Sequence, residues 1–351
     1  MPYFHNCFNK PPDVNGFGVA PLLLKKLKLM PYFLLCLLSL AATAQSSPQV
    51  YDDAYYQQHQ IANVDEAQDG LNFLVLGDWG RNGHYQQRHV AMWMDIAMEQ
   101  LGGDFIVTTG DNFYSNGVAS VSDPYWQSSF EQIYQGPHLF EDWYATLGNH
   151  DYRGNWQAQI DYTQVSRRWQ MPAQYYAKTF ELDDGASVLL VFLDTNPLNP
   201  DYKHEAKYAA TQQQDAAKQL TWLKDKLAST RATWKIVIGH HPLYSSGKRY
   251  GKTGGIRDVL EPILEGHQVD AYFAGHEHDL QHNQPAGTHV AHFVSGGGSE
   301  VRPVAQREFT KFAASKAGFA SVGINKEQLT VSFIDAGGQM LYQYQMNKDN
   351  K

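Results

Sequence analysis

Cysteine is nearly absent from this chain of 351 residues: there are two, Cys7 and Cys36. No disulfide framework can form in the sequence beyond them, and a metal bound there must be held through oxygen and nitrogen, not thiolate. Excess positive charge is lacking as well. Lys and Arg number 28 against 36 Asp and Glu, a formal net charge of -8, and no basic stripe is visible. That balance speaks against a nucleic-acid binder, which needs clustered cations to displace counterions from the phosphate backbone. The apolar run from Leu29 to Leu40 is too short to span a bilayer comfortably. It follows Lys25, Lys26 and Lys28 and precedes Ala42-Thr43-Ala44, the order of a secretory signal with a small-residue cleavage site. Residues 1–44 are therefore predicted to be a signal region that directs a secreted or periplasmic protein and leaves no stable membrane insertion after cleavage.

What is abundant is aromatic surface: aromatics make up 13% of the chain, 21 of them Tyr, enough for aromatic-lined grooves. Residues 45–70 are polar and Gln-rich without a sustained period and read as a linker. From residue 71 onward, apolar runs of strand length alternate with segments of helical period, the signature of βαβ units around a largely parallel, buried sheet. Strands are predicted over 72–76, 105–109, 143–147, 188–193, 235–238, 271–274, 289–294, 319–324 and 329–334, too many for one small sheet. Helices are predicted over 86–101, 125–133, 157–169, 212–227 and 256–264. In the fourth, Leu220, Leu223 and Leu227 recur at helical spacing and make one apolar face. The last four strands are separated by loops alone, which predicts an antiparallel closing section. No repeat or tandem linker divides 71–351, which reads as a single catalytic domain.

Five short clusters stand out: Gly77-Asp78-Trp79-Gly80, Gly110-Asp111-Asn112-Phe113-Tyr114, Gly148-Asn149-His150-Asp151, Gly239-His240-His241-Pro242 and Gly275-His276-Glu277-His278. Each sits just past a predicted strand, where open α/β sheets place their ligand crevices. A two-metal hydrolase needs a bridging carboxylate with oxygen and imidazole donors on either side. Asp111 suits the bridge; Asp78, Tyr114, Asn149, His240, His276 and His278 suit the flanks. His276 and His278, one residue apart on extended backbone, point to the same side and can serve different metals. His241 is read as structural. Taken singly, each cluster is no more than a turn; together the five make a set of metal ligands.

In order and spacing the five clusters resemble the purple acid phosphatases of the metallophosphoesterase superfamily, most closely the small tartrate-resistant type 5. The resemblance extends over nearly all of 71–346. It implies a four-layer α/β sandwich of two mixed β-sheets flanked by helices, the calcineurin-like fold. Where most metallophosphoesterases carry Asp-x-His in the first cluster, this chain has Gly80, and Tyr114 is the compensating ligand. The resemblance then implies Fe(III) held by Asp78, Tyr114 and His278, a divalent Fe, Zn or Mn held by Asn149, His240 and His276, and Asp111 between them. It further implies hydrolysis of phosphate monoesters, small or on phosphoproteins, by a metal-bound hydroxide, an acid optimum, and no nucleic-acid partner. The chain is expected to act as a monomer. His150 would contact the phosphoryl group or protonate the departing alkoxide; its alternative is a scaffold role, held by Asp151. One departure from the family is the loop 245–252, which lacks the second histidine of the small enzymes; Arg249 or Tyr250 would take its place as a substrate contact. The rival enzyme reading is a phosphodiesterase or nucleotide hydrolase of the same superfamily, and the rival outside enzymology is an exported metal or phosphate binder.

Overall fold

The computed structural model describes residues 51–348; the predicted signal region and both cysteines lie outside them. Among the described residues, fourteen strands form two sheets of seven. The first contains β1 (Leu71–Leu76), β2 (Phe105–Thr108), β3 (Asp142–Ala145), β4 (Trp169–Gln170), β12 (Gly318–Ile324), β13 (Gln328–Asp335) and β14 (Met340–Asn347), in the order β14-β13-β12-β1-β2-β3-β4. The second contains β5 (Tyr176–Glu181), β6 (Ser187–Phe192), β7 (Trp234–Ile238), β8 (Ala271–Ala274), β9 (Leu280–Asn283), β10 (Ala291–Ser295) and β11 (Thr310–Ala314), in the order β11-β9-β10-β8-β7-β6-β5. In the first, the parallel strands β1 to β4 are continued on one side by an antiparallel pairing to β12; in the second, the parallel strands β6, β7, β8 and β10 have antiparallel neighbours on both sides.

The alternation of side chains along each strand explains why the central strands read as unbroken apolar runs. In β1, Phe73 and Val75 face the second sheet, where they meet a core that includes Ile236, Phe273 and Phe333. Leu74 and Leu76 face outward, onto the helix α2 (Gln87–Gln100) and a cluster rich in Trp. On the far side, Leu189 and Val191 of β6 meet α4 (Ala216–Ser229) and α5 (Gly254–Gly266). A strand buried on both faces has no polar phase to display. Helix α4 starts where the Asp215 carboxylate accepts from the Lys218 N–H at 2.9 Å, an N-cap, and buries Leu223 and Leu227 one turn apart. The result is four layers, helix–sheet–sheet–helix, as expected.

Several predictions of elements are corrected. Residues 51–70 are no loose linker: α1 (Asp53–Gln58) buries Tyr55 and Tyr56, and Ile61 and Val64 are buried in the same core. The predicted helix 157–169 is one short helix, α3 (Trp156–Asp161), then a turn, then β4. The predicted helix 125–133 is helical over Trp126–Glu131, but as a π-helix and not an α-helix. The closing section is only partly antiparallel, because β10 runs parallel to β8 with the unpredicted β9 beside it. The unpredicted strands β5, β11 and β14 are edges with exposed polar positions, and β9 is polar though buried, so none displays a long apolar run.

Candidate metal centre

Three strands of the first sheet and two of the second end at one rim. Beyond β1 the chain reaches Asp78; beyond β2, Asp111 and Tyr114; beyond β3, Asn149 and His150; beyond β7, His240 and His241; beyond β8, His276 and His278. All are buried except His150, which is partly exposed. Asp78, Asp111 and His276 have φ of 59°, 51° and 70°. Non-glycine residues rarely adopt this left-handed region, and such outliers cluster at functional sites. Two glycines allow the loops to touch. A Cβ on Gly110 (φ 90°) would lie 2.6 Å from the Gly148 nitrogen, and one on Gly148 would lie 2.2 Å from Asp111 Oδ1, so neither position accepts a side chain.

Two side chains outside the predicted set hold the loops in place. Asp151, fully buried, accepts from the N–H groups of Gly148 at 2.8 Å, Asn112 at 3.1 Å and Phe113 at 3.2 Å, and from Gln159 Nε2 at 2.8 Å. It clamps the β2 and β3 loops together and does not hold the His150 ring. Thr195, just past β6, accepts at Oγ1 from the N–H groups of His240 at 3.2 Å and His241 at 3.1 Å. His241 has both ring nitrogens engaged, at 2.7 Å from Thr195 Oγ1 and at 2.7 Å from the Tyr202 hydroxyl. Neither nitrogen is free for a metal, although the ring lies within reach of His240 and His276. A seam between the sheets completes the frame: the His276 N–H donates to Asp78 Oδ2 at 2.8 Å.

The predicted ligands fall into two groups that share one residue. The Tyr114 hydroxyl donates to Asp78 Oδ1 at 2.7 Å and lies 2.9 Å from Asp111 Oδ2 and 3.1 Å from His278 Nε2. On the other side, His240 Nε2 lies 3.0 Å from His276 Nδ1, 3.3 Å from Asn149 Oδ1 and 3.5 Å from Asp111 Oδ1. Asp111 thus presents one carboxylate oxygen to each group. Around the first group, the Arg81 guanidinium lies over the Tyr114 ring, 3.7 Å from its centre, and pairs with Glu300 at 2.7 Å.

The donor chemistry fits cations. His240 Nδ1 donates to the Thr109 carbonyl at 2.9 Å, which leaves Nε2 as the nitrogen that faces the site. At that nitrogen Asn149, Asp111 and His276 converge, and such a buried gathering of polar atoms is unfavourable unless a cation, or a turned Asn149 amide offering its N–H to His240 and His276, fills it. Burial raises the Asp111 pKa, yet the neighbouring His240 and His150 outweigh it and hold the carboxyl low, at about 2. Burial, then Asp111 and Asp78, push the Tyr114 phenol well above its usual range. Burial keeps His276 neutral, well below the ordinary imidazole value. Two buried carboxylates, a phenol, an amide oxygen and three imidazoles are a hard-oxygen and nitrogen set suited to first-row metals.

His150 stands at the rim. Its N–H donates to Asp111 Oδ1 at 2.7 Å, its Nδ1 lies 2.6 Å from the Ser115 carbonyl, and its Nε2 lies 3.9 Å from Asp111 Oδ2. Arg249 reaches the edge of the centre, donating to the His276 carbonyl at 3.0 Å. Tyr250 does not: it is 40% exposed, and its hydroxyl donates to Glu308. Arg153 and Tyr208, which the sequence reading did not single out, do reach it. Arg153 donates to the Tyr208 hydroxyl at 2.8 Å, and Asn149 Nδ2 donates to the same oxygen at 3.0 Å. Arg153 lies three residues beyond His150 and could have been suspected; Tyr208 sits in a stretch with no pattern to mark it.

Comparison with known proteins places this arrangement. The calcineurin-like phosphoesterase family matches residues 71–280. The chain is 37% identical over 303 residues to purple acid phosphatase 4 of Arabidopsis thaliana, covering 82% of this chain and 88% of that one. It is 33% identical to tartrate-resistant acid phosphatase type 5 of Homo sapiens, covering 80% and 91% respectively. Among solved structures, GAP50, described as the anchor in the inner membrane complex of Plasmodium, superposes with a TM-score of 0.70 at 25% identity, covering 80% of this chain and 90% of that one.

Proposed function

This chain belongs to the calcineurin-like phosphoesterases and, within them, to the purple acid phosphatases, and from that premise we propose that it hydrolyses phosphate monoesters at a two-metal centre. Asp78, Tyr114 and His278 would hold Fe(III), Asn149, His240 and His276 a divalent Fe, Zn or Mn, and Asp111 would bridge. The observation that carries this reading is that the side chains fall into two groups that share Asp111, whose Oδ2 lies 2.9 Å from the Tyr114 hydroxyl and whose Oδ1 lies 3.5 Å from His240 Nε2. Bound there, the two ions supply Lewis acidity to the phosphoryl group and lower the pKa of a water. With two carboxylates and a phenolate set against five positive charges on the metals, a net positive site remains for an anionic ester.

The chain's own residues supply position and protons. His150, with Nδ1 against the Ser115 carbonyl at 2.6 Å, has Nε2 left to face the phosphoryl group or the leaving oxygen. Arg153, 3.1 Å from His150 Nδ1 and bonded to Tyr208, fixes the ring's surroundings; it is a positioning residue. In the reaction the water oxygen joins phosphorus, the ester P–O bond breaks, and the departing alkoxide gains a proton. Tyr114, in place of the histidine that Gly80 displaces, favours an iron-phenolate over the phosphodiesterase alternative.

Among the described residues no helix is long and apolar enough to cross a membrane, and export by the segment before residue 45, with one catalytic domain following, belongs to the same reading. The test is metal analysis of native protein with a visible spectrum, together with p-nitrophenyl phosphate turnover from pH 4 to 8. Iron, a visible band that vanishes in Tyr114→Phe, and acid-range turnover are expected. A metal-replete protein that releases no phosphate would instead be a binder, and a colourless active one would overturn the iron-phenolate.

A further inference from the structure

Next to the candidate centre, and opening onto it through Asn149, His150 and His276, is a cavity of about 420 Å³. A water's share of liquid volume is about 30 Å³, so the cavity has room for a phosphoryl group and considerably more. Its charge is unlike that of the rest of the molecule. Six cations line it, Arg153, Lys207, Lys248, Arg249, Lys252 and Arg302, against two acids, Asp201 and Glu205, in a chain whose formal charge is -8.

Most of that positive charge is not neutralised. Lys207 pairs with Glu205 at 2.7 Å, and Arg249 lies 3.4 Å from Glu277. Among the described residues, Arg153, Lys248, Lys252 and Arg302 have no carboxylate within ion-pair distance. They also come from three separate parts of the chain: the turn after β3, the loop after β7, and the segment between β10 and β11. Arg153 and Arg302 are half-buried, and Lys248 and Lys252 are exposed at the mouth; a concave space lined by one sign of charge focuses its field and attracts anions. A single phosphate monoester at the candidate centre would leave them unmatched.

We propose that this cavity is a second anion subsite, and that the preferred substrates are small molecules carrying at least two phosphate groups, one at the candidate metal centre and one among these cations. The inference rests on the phosphatase reading above for the first group only; the subsite itself is a property of the cavity. Arginine supplies planar, bidentate phosphate contacts and lysine mobile point charges, and the cavity holds both. A second phosphate bound there would orient the ester and hold it through turnover, raising kcat/KM over that of the matching monophosphate.

The experiment compares fructose 1,6-bisphosphate with fructose 6-phosphate on metal-loaded enzyme, with p-nitrophenyl phosphate as the reference for phosphatase activity. At low ionic strength kcat/KM for the bisphosphate is expected to exceed that for the monophosphate about tenfold or more, the ratio shrinking as salt screens the subsite. The triple variant Lys248→Ser, Lys252→Ser, Arg302→Ser is expected to bring the ratio toward one. A wild-type ratio near one, a ratio unmoved in the triple variant, or a stronger preference for an acidic phosphopeptide overturns the proposal. Calorimetric titration of metal-free protein with fructose 1,6-bisphosphate separates the two readings. Binding that the triple variant loses, in a protein inactive toward p-nitrophenyl phosphate even when metal-loaded, sustains the subsite and overturns the phosphatase reading; absence of binding overturns the subsite. Circular dichroism and the thermal midpoint establish that the triple variant is folded.

Discussion

The loops of the first sheet and those of the second bring different chemistry to the rim where they meet. From β1, β2 and β3 come Asp78, Asp111, Tyr114 and Asn149, all oxygen donors; from β7 and β8 come His240, His276 and His278, all nitrogen donors. Their scaffolding differs in the same way. The oxygen half is clamped by a carboxylate, Asp151, which gathers backbone N–H groups from two loops. The nitrogen half is held by a hydroxyl, Thr195, which takes two N–H groups from one loop. Carboxylates and phenol near one another need a dense set of donors or cations to remain buried, whereas neutral imidazoles need mainly to be kept unprotonated and correctly turned. The second sheet meets that need by burial: besides His276, it contains His282 and His292, whose pKa values burial lowers to about 3.

This contrast can be broken at its strongest point by Asp151→Ala. Three backbone N–H groups would lose their acceptor, and the loss is expected to be the largest of any single change here, roughly 3–5 kcal/mol. Urea unfolding measures it, and metal content should fall with it; a midpoint within error of wild type would remove the clamp. Thr195→Val applies the same test to the nitrogen half. Two N–H groups lose one acceptor, so a smaller loss, roughly 2–3 kcal/mol, is expected, with any metal proposed for His240 and His276 lost before the one proposed for Asp78 and Tyr114. Equal losses at the two positions would erase the distinction between the halves.

The last and smallest effect concerns acid. Folded His292 has its pKa lowered to about 3, so the unfolded chain takes up the proton first, near 6.5. The stability this residue contributes is complete above pH 6.5 and is lost as pH falls toward 3. Between pH 7 and pH 5 the loss is roughly 2 kcal/mol by linkage. Both ring nitrogens of His292 lack partners, so His292→Phe sacrifices no hydrogen bond and is expected to flatten the pH dependence of the urea midpoint over this range. A slope identical to wild type would mean that the acid sensitivity of the second sheet lies elsewhere. For a protein expected to work in acid, that slope limits the useful range from below.

The two halves were unequally legible. Asp78, Asp111 and Asn149 each follow a strand at a Gly-x step, and His276-Glu277-His278 and His240-His241 follow strands of the second sheet, so local pattern marked these residues before the structure gathered them at one rim. The frame around them was not legible. Asp151 looked like a partner for His150 because they are adjacent in sequence, yet its side chain turns to the backbone of a loop that begins with Asn112. Thr195 and Tyr208 belong to no motif; distance from the donors along the chain hid them. Tyr250 looked like a site residue by proximity to Arg249, and the turn of the chain carries it to Glu308 instead. Among the elements, the doubly buried strands were clear and the edge strands β5, β11 and β14 were not, since an edge need not be apolar.

By itself, the sequence determined the donor types, their order and their placement at strand ends, because those depend on local turns and on the apolar runs that precede them. The tertiary structure alone decided that the oxygen and nitrogen halves meet. Asp78 and His276, 198 residues apart in sequence, are joined at 2.8 Å because two sheets pack through one apolar core and end at a common rim. It also decided which cations gather beside that rim. Sequence spacing carries no information about the distance between residues on different sheets, and that distance is set by how side chains fill the space between them.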